Sequence, residues 1–294
     1  MKRTDCRSRL QTIALSLSPN IGAVTFQNLL NCFDHNLDAI LAASPKELMR
    51  APGVGKIIAS EIAAIDLDAL ARELRAASEQ GVEILLRGDR DYPAPLSDVA
   101  DAPLAIFASR ALRPADWQAA VAIVGTREPS DEARFIALEL AMKLARAGRA
   151  VVSGLALGVD AAAHSGALSA DGLTVAVLGS GILNVYPEAN SSLAERIRER
   201  GALISEVHPG WSAKAQRLVS RNRIISGLSR AVIVVEAAED GGAMHTARFA
   251  SEQGQPVFTF DLPASGNQRL IQAGAGVLRR DDPLLDLPAG QNEL

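Results

Sequence analysis

Four glycine-bearing segments recur in the second half of the chain: Gly125-Thr126-Arg127, Ser153-Gly154-Leu155-Ala156-Leu157-Gly158, Gly179-Ser180-Gly181 and Gly241-Gly242. Each follows or precedes a short apolar run. Such loops expose bare backbone amides and lead into helix N-termini, an arrangement that favours an anionic ligand. A second chemical feature is the segment Lys214-Ala215-Gln216-Arg217-Leu218-Val219-Ser220-Arg221-Asn222-Arg223. Guanidinium groups grip phosphate oxygens in pairs, and an asparagine adds hydrogen bonds to phosphates or base edges. Because Arg221-Asn222-Arg223 abuts Ile224 and Ile225, the run is not simply a solvated polar face. The candidate binding set is therefore Gly125, Thr126, Arg127, Ser153, Gly154, Ala156, Gly158, Gly179, Gly181, Lys214, Arg217, Arg221, Asn222, Arg223, Gly241 and Gly242.

Other chemistry is thin. After Gly125 the order Gly-Thr-Arg-Glu-Pro lacks the dinucleotide fingerprint, and Gly179-Ser180-Gly181 has Asn184 where the third glycine belongs, so no nicotinamide or other cofactor is expected. Gly53-Val54-Gly55-Lys56 fails as a phosphate-binding P-loop, because Arg50 and Ile57 stand where glycine and Ser or Thr are needed. His35, His164, His208 and His245 are scattered, and neither a zinc-ligand spacing nor a nucleophile elbow occurs. His164 reads as a helix-packing or capping residue. Asp160 and Glu236 are the carboxylates nearest the glycine loops, and both read as capping or hydrogen-bonding groups. No catalytic residue and no metal site is predicted.

The elements that must position these residues change character along the chain. The first part is Ala/Leu-rich and helical, and Leu48 to Ile62 describe two short helices joined at Pro52-Gly53-Val54-Gly55. That pattern resembles a helix-hairpin-helix, a module that meets nucleic-acid backbones, and an ordinary helical turn gives the same string. Arg87 to Arg113 is rich in Pro and Asp and reads as a linker with one strand near Leu104 to Phe107. From Val121 onward, apolar runs at 121–124, 150–152, 174–178, 203–204, 231–235 and 257–260 alternate with helical segments at 131–147, 159–169, 189–200 and 244–253. Runs without polar interruption suit strands buried on both faces, and alternation with helices predicts a doubly wound parallel sheet. Its ligand crevice lies at the carboxyl ends of the strands, where the strand order switches.

Composition sets the limits. The 294 residues are 48% hydrophobic and 22% charged, as expected of an ordered globular chain of two domains or one large one. Leu10 to Phe26 is interrupted by polar residues, so neither a signal peptide nor a membrane span is expected. Cys6 and Cys32 are too few for a disulfide framework, which places the chain in a reducing cytoplasm. With a formal charge of −4, nucleic-acid binding must rest on a local basic patch, and aromatics at 4% argue against a surface built mainly on stacking platforms.

The ordered strings Gly125-Thr126-Arg127, Ser153-Gly154-Leu155-Ala156, His164 with Gly166, Val177 to Gly181 with Tyr186-Pro187 and Asn190, Ser205-Glu206, Arg221 to Ile225 with Gly227, Val234 to Ala237, Thr246-Ala247 and Leu270-Ile271 with Gly274 resemble the DNA-processing protein A family, also called Smf. The resemblance implies an extended Rossmann-like α/β domain with a mostly parallel, doubly wound sheet, preceded by a small helical domain. It further implies a dimer that binds single-stranded DNA, helps load the RecA recombinase during DNA uptake, and has no catalysis of its own. On this reading residues 1–85 form the helical domain, 86–115 the linker and 116–288 the DNA-binding domain, with the winged-helix domain of many members absent. Three positions depart from the family: Leu218-Val219 replaces a usual Phe-Pro, Asp240-Gly241-Gly242 replaces Lys-Ser-Gly, and Leu262-Pro263 stands for a Pro-Gly.

Two alternatives use the same fold: a nucleotide-binding sensor, and a phosphoribohydrolase-like enzyme. The latter needs a glutamate that falls at Arg248 here.

Overall fold

The computed structural model describes residues 3–280 except 19, 111 and 118. Among them, nine strands form one sheet: β1 (Glu83–Leu86), β2 (Ala105–Ala108), β3 (Val121–Val124), β4 (Val151–Ser153), β5 (Thr174–Val177), β6 (Ala202–Ser205), β7 (Val232–Val234), β8 (Val257–Phe260) and β9 (Gly276–Leu278). Their order is β1-β2-β6-β5-β4-β3-β7-β8-β9. Pairing is parallel from β6 to β9, whereas β1 with β2 and β2 with β6 run antiparallel.

Every residue of β3, β5 and β6 is buried, as uninterrupted apolar strings require when helices cover both faces. One face packs Val124, Val152, Val177 and Val234 against Ile224, Ile225 and Leu228. The other packs Ile123, Val151 and Ile233 against the helices Asp131–Arg146 and Val159–Ser169. Ser130 caps the first of these by accepting from the Ala133 amide, and Asp131 and Glu132 at its start with Lys143 and Arg146 at its end match the helix dipole. The chain runs outward from β3 through β6, then returns to add β7 on β3's other side. The switch in strand order thus lies between the loops that follow β3 and β7.

The stretch read as a linker does more than connect. It holds the expected strand, one residue displaced, and that strand bridges β6 and β1 in the main sheet. The helices Ala23–Cys32, Leu37–Ala42, Pro45–Leu48 and Lys56–Ala63 enclose their own core of Leu15, Leu29, Ile40, Leu48 and Ile62. The helices Arg3–Ser16 and Leu67–Glu79 instead bring Ile13, Leu74 and Ala77 onto Leu86, Phe107 and Leu203 of the sheet. The hairpin at Pro52 exists: Gly53 sits at φ 82°, and Gly55 starts the following helix without a side-chain cap. Residues 281–288, placed by sequence in the DNA-binding domain, lie outside the described residues. Among the described residues, no helix is long and apolar enough to cross a membrane.

Candidate nucleic-acid interface

The loop after β3 is held by its backbone. The Thr126 amide donates to Glu236 O after β7 (2.7 Å), and Thr126 O accepts from the Val159 amide (3.1 Å). A side chain at Gly125 would meet Val159 and Glu236 O, and one at Gly158 would meet the Thr126 and Arg127 carbonyls, so glycine permits this close approach. The outcome is that Arg127 projects from a clamped loop into solvent. Among the described residues it has no carboxylate partner.

The loop after β4 folds around two buried opposite charges, each held by its own hydrogen bonds. Asp160, in the first turn of Val159–Ser169, accepts from the Gly154 and Ala156 amides at 3.1 and 3.2 Å. Arg221, 7% exposed, donates to the Gly154 and Val177 carbonyls, and its Nε donates to Asn222 Oδ1 at 3.2 Å. A Cβ on Gly154 would overlap this guanidinium. Burial pushes the Asp160 carboxyl up against the opposing pull of Arg221 and the two amides, and burial also lowers the Arg221 guanidinium. Arg221 is thus a clasp joining the ends of β4 and β5, its charge offset by Asp160.

Arg223 lies apart from the cleft. Its guanidinium meets Glu206 at 2.6 Å and Asp101 at 3.1 Å on the side away from the cleft. Arg217 lies over the Trp211 ring, 4.9 Å from its centroid, and donates to Ser212 O. The third glycine loop also turns away. Gly179 packs on the Leu218 backbone, and the Gly181 amide donates to Trp211 O at 2.8 Å, because both glycines let the segment 208–218 approach closely. Ser153 is buried, its hydroxyl donating to Ile123 O at 2.6 Å.

What remains is a cleft of about 680 Å³ at the carboxyl ends of the strands. Of the residues singled out in the sequence, Gly125, Thr126, Arg127, Ala156, Lys214, Arg221, Asn222, Gly241 and Gly242 line it. Ser153, Gly154, Gly158, Gly179, Gly181, Arg217 and Arg223 do not, although Gly154 makes room for Arg221 and Gly158 for the loop that carries Arg127. Gly241 starts the helix Gly242–Glu252 with no side-chain cap, so amides at the cleft edge are open to an anion. Asn222 Nδ2 donates to Gly242 O at 3.2 Å and holds this edge.

Tyr186, Leu218 and Val219, noted in the sequence as a family match and a family departure but not placed in the candidate binding set, also line the cleft. Tyr186 is 45% exposed and Val219 38%, an apolar surface beside the cations Arg127 and Lys214. The signal available was Tyr186 itself, one of only two tyrosines, next to Pro187. Asp160 is committed to the loop it caps, and Glu236 accepts from the Ser130 amide at 2.7 Å. Arg248 pairs with Glu252 outside the cleft.

The family model for DNA recombination-mediator protein A matches residues 83–287. The DNA processing protein DprA of Bacillus subtilis is 36% identical over 225 residues, covering 74% of this chain and 76% of that protein. Several longer relatives are matched over about half of their length. The X-ray structure of DNA processing protein A from Streptococcus pneumoniae superposes with a TM-score of 0.73 at 28% identity, covering 95% of each chain. That of DNA processing protein A from Helicobacter pylori, described for its unique single-stranded DNA binding mode, gives 0.60 at 27% identity over 67% of this chain and 90% of that one. By its own residues and by these likenesses, the chain belongs to the DNA recombination-mediator protein A family.

Proposed function

We propose that the cleft binds single-stranded DNA without catalysis, and that the protein, as a homodimer, hands the strand to the RecA recombinase. One observation carries the DNA reading: among the described residues no carboxylate pairs with Arg127 or Lys214, at a cleft whose other charges, Arg221 and Asp160, offset each other. Two such cations, open helix amides and an exposed tyrosine suit a flexible phosphodiester strand whose bases are accessible. The binding mode described for the Helicobacter pylori relative supports this reading, and the family's description as a recombination mediator supports the hand-over. Absence of catalysis is supported by the commitment of Asp160 and Glu236 to backbone amides and of Arg248 to Glu252.

The test is competition between a labelled single strand and unlabelled competitors. Unlabelled single strand should displace the label at far lower concentration than blunt duplex, with little sequence preference. Equal or better displacement by duplex would refute the reading. Release of free base from AMP, abolished by replacing Glu236 or Asp160, would restore the enzyme reading.

A further inference from the structure

Beyond the cleft, the segment 208–217 builds a short aromatic column. Phe107 in the sheet core meets the His208 ring edge-on at 6.4 Å, His208 meets Trp211 at 5.3 Å, and the Arg217 guanidinium lies 4.9 Å from the Trp211 centroid. The column is pinned at several points. The Trp211 amide donates to His208 O and its carbonyl accepts from Gly181, Asn184 Nδ2 donates to Ser212 Oγ at 3.1 Å, and Arg217 donates to Ser212 O. Yet Trp211 remains 38% exposed, whereas the protein's other tryptophan, Trp117, is 3% exposed. A large aromatic surface held rigid and left open at low entropic cost is a ready platform for a planar partner.

Its place identifies that partner. Trp211 precedes the cleft-lining Lys214 by three residues, a span of at most about 10 Å. The loop 181–184 that ties it down leads directly to Tyr186 in the cleft. A strand whose phosphates meet Lys214 and Arg127 therefore carries its next bases towards the column. We propose that Trp211 and Arg217 form a stacking ledge for an unpaired nucleobase just outside the phosphate cleft. This rests on the cleft being a single-strand site. Indole and guanidinium planes both stack on bases without regard to sequence, and the ledge extends the footprint rather than setting sequence preference.

The experiment follows tryptophan emission during titration with oligothymidine and with an abasic oligomer of equal length. Oligothymidine should quench the emission, because Trp117 is shielded. The abasic strand should bind through its phosphates with little quenching. Trp211→Ala should weaken oligothymidine binding roughly tenfold and leave the abasic strand unaffected, and Trp211→Phe should restore most of the loss. Unchanged thermal unfolding of each variant excludes a folding defect, and the phenylalanine variant decides the matter if the alanine variant misfolds. Oligothymidine binding with no quenching and no loss in either variant overturns the ledge while leaving the cleft reading intact. Failure of any single strand to bind overturns the cleft reading itself. Emission that changes with protein concentration without DNA, together with dissociation of Trp211→Ala to a smaller species, would make the ledge a contact between copies and also overturn the proposal.

Discussion

Three arginines that look alike in the sequence have three different tasks. Arg127 meets no carboxylate among the described residues, Arg221 is a buried clasp, and Arg223 is held by two carboxylates. The division between the last two follows from helix geometry: Arg221 is in the αR region between two helices, so residues two apart point about 200° apart around the axis. One side chain enters the cleft floor and the other faces Glu206. Arg127→Ala should accordingly weaken single-strand binding by about 1–3 kcal/mol with unchanged thermal unfolding. Arg221→Ala leaves the buried Gly154 and Val177 carbonyls without their donor and Asp160 without the opposite charge nearby, and should cost about 3–5 kcal/mol of stability, seen in denaturant unfolding. Arg223→Ala should lower stability without altering the salt dependence of binding; a changed salt slope would show that it meets phosphate. A separate prediction concerns His164, whose Nδ1 lies 2.7 Å from Thr174 Oγ1 and whose pKa burial depresses to about 3. A folded-state pKa below the unfolded value of about 6.5 means its contribution is complete above pH 6.5 and is lost as pH falls towards 3, at up to about 1.4 kcal/mol per unit. His164→Gln should flatten that part of the stability profile relative to the unaltered protein, and parallel profiles would show that His164 protonates in the folded state.

At the scale of elements, the inner strands were legible because each is an unbroken apolar run, and the helix Val159–Ser169 begins and ends at the residues read from the sequence. The outer strands were not. β1 has an exposed first residue, and β9 is three residues long with its centre exposed, so neither shows the pattern of a strand covered on both faces. The glycine loops were legible in the sequence, but not their direction, since a glycine that faces a cleft and one that admits a neighbouring backbone read alike. Gly158 is of the second kind, at φ 77° against the loop that carries Arg127. Gly158→Ala should destabilise the fold by about 1–3 kcal/mol through strain and overlap with the Thr126 carbonyl. It should also weaken DNA binding by displacing Arg127, although residue 158 does not line the cleft. Wild-type affinity in a measurably destabilised variant would show that the two loops are not coupled.

Across the whole molecule, a chain of formal charge −4 offers a polyanion only a small cationic area, so binding depends on where a few charges stand rather than on their number. The helices 3–16 and 67–79 and the strands β1 and β2 share the sheet's core, giving the cleft a continuous packed support. That integration was hidden in the sequence, where Pro and Asp between 87 and 113 suggested a connector. The central claim is that Arg127 and Lys214 provide the phosphate contacts at this cleft. It is tested most directly by measuring equilibrium binding of a single strand across a range of salt concentrations for the unaltered protein and for an Arg127→Ala, Lys214→Ala double variant with matched thermal unfolding. If each cation neutralises one phosphate, the slope of log K against log salt should become shallower by roughly 0.7 per lost contact, about 1.4 in all, with affinity reduced at low salt. A folded double variant that binds with the original affinity and slope would place the DNA site elsewhere on the molecule.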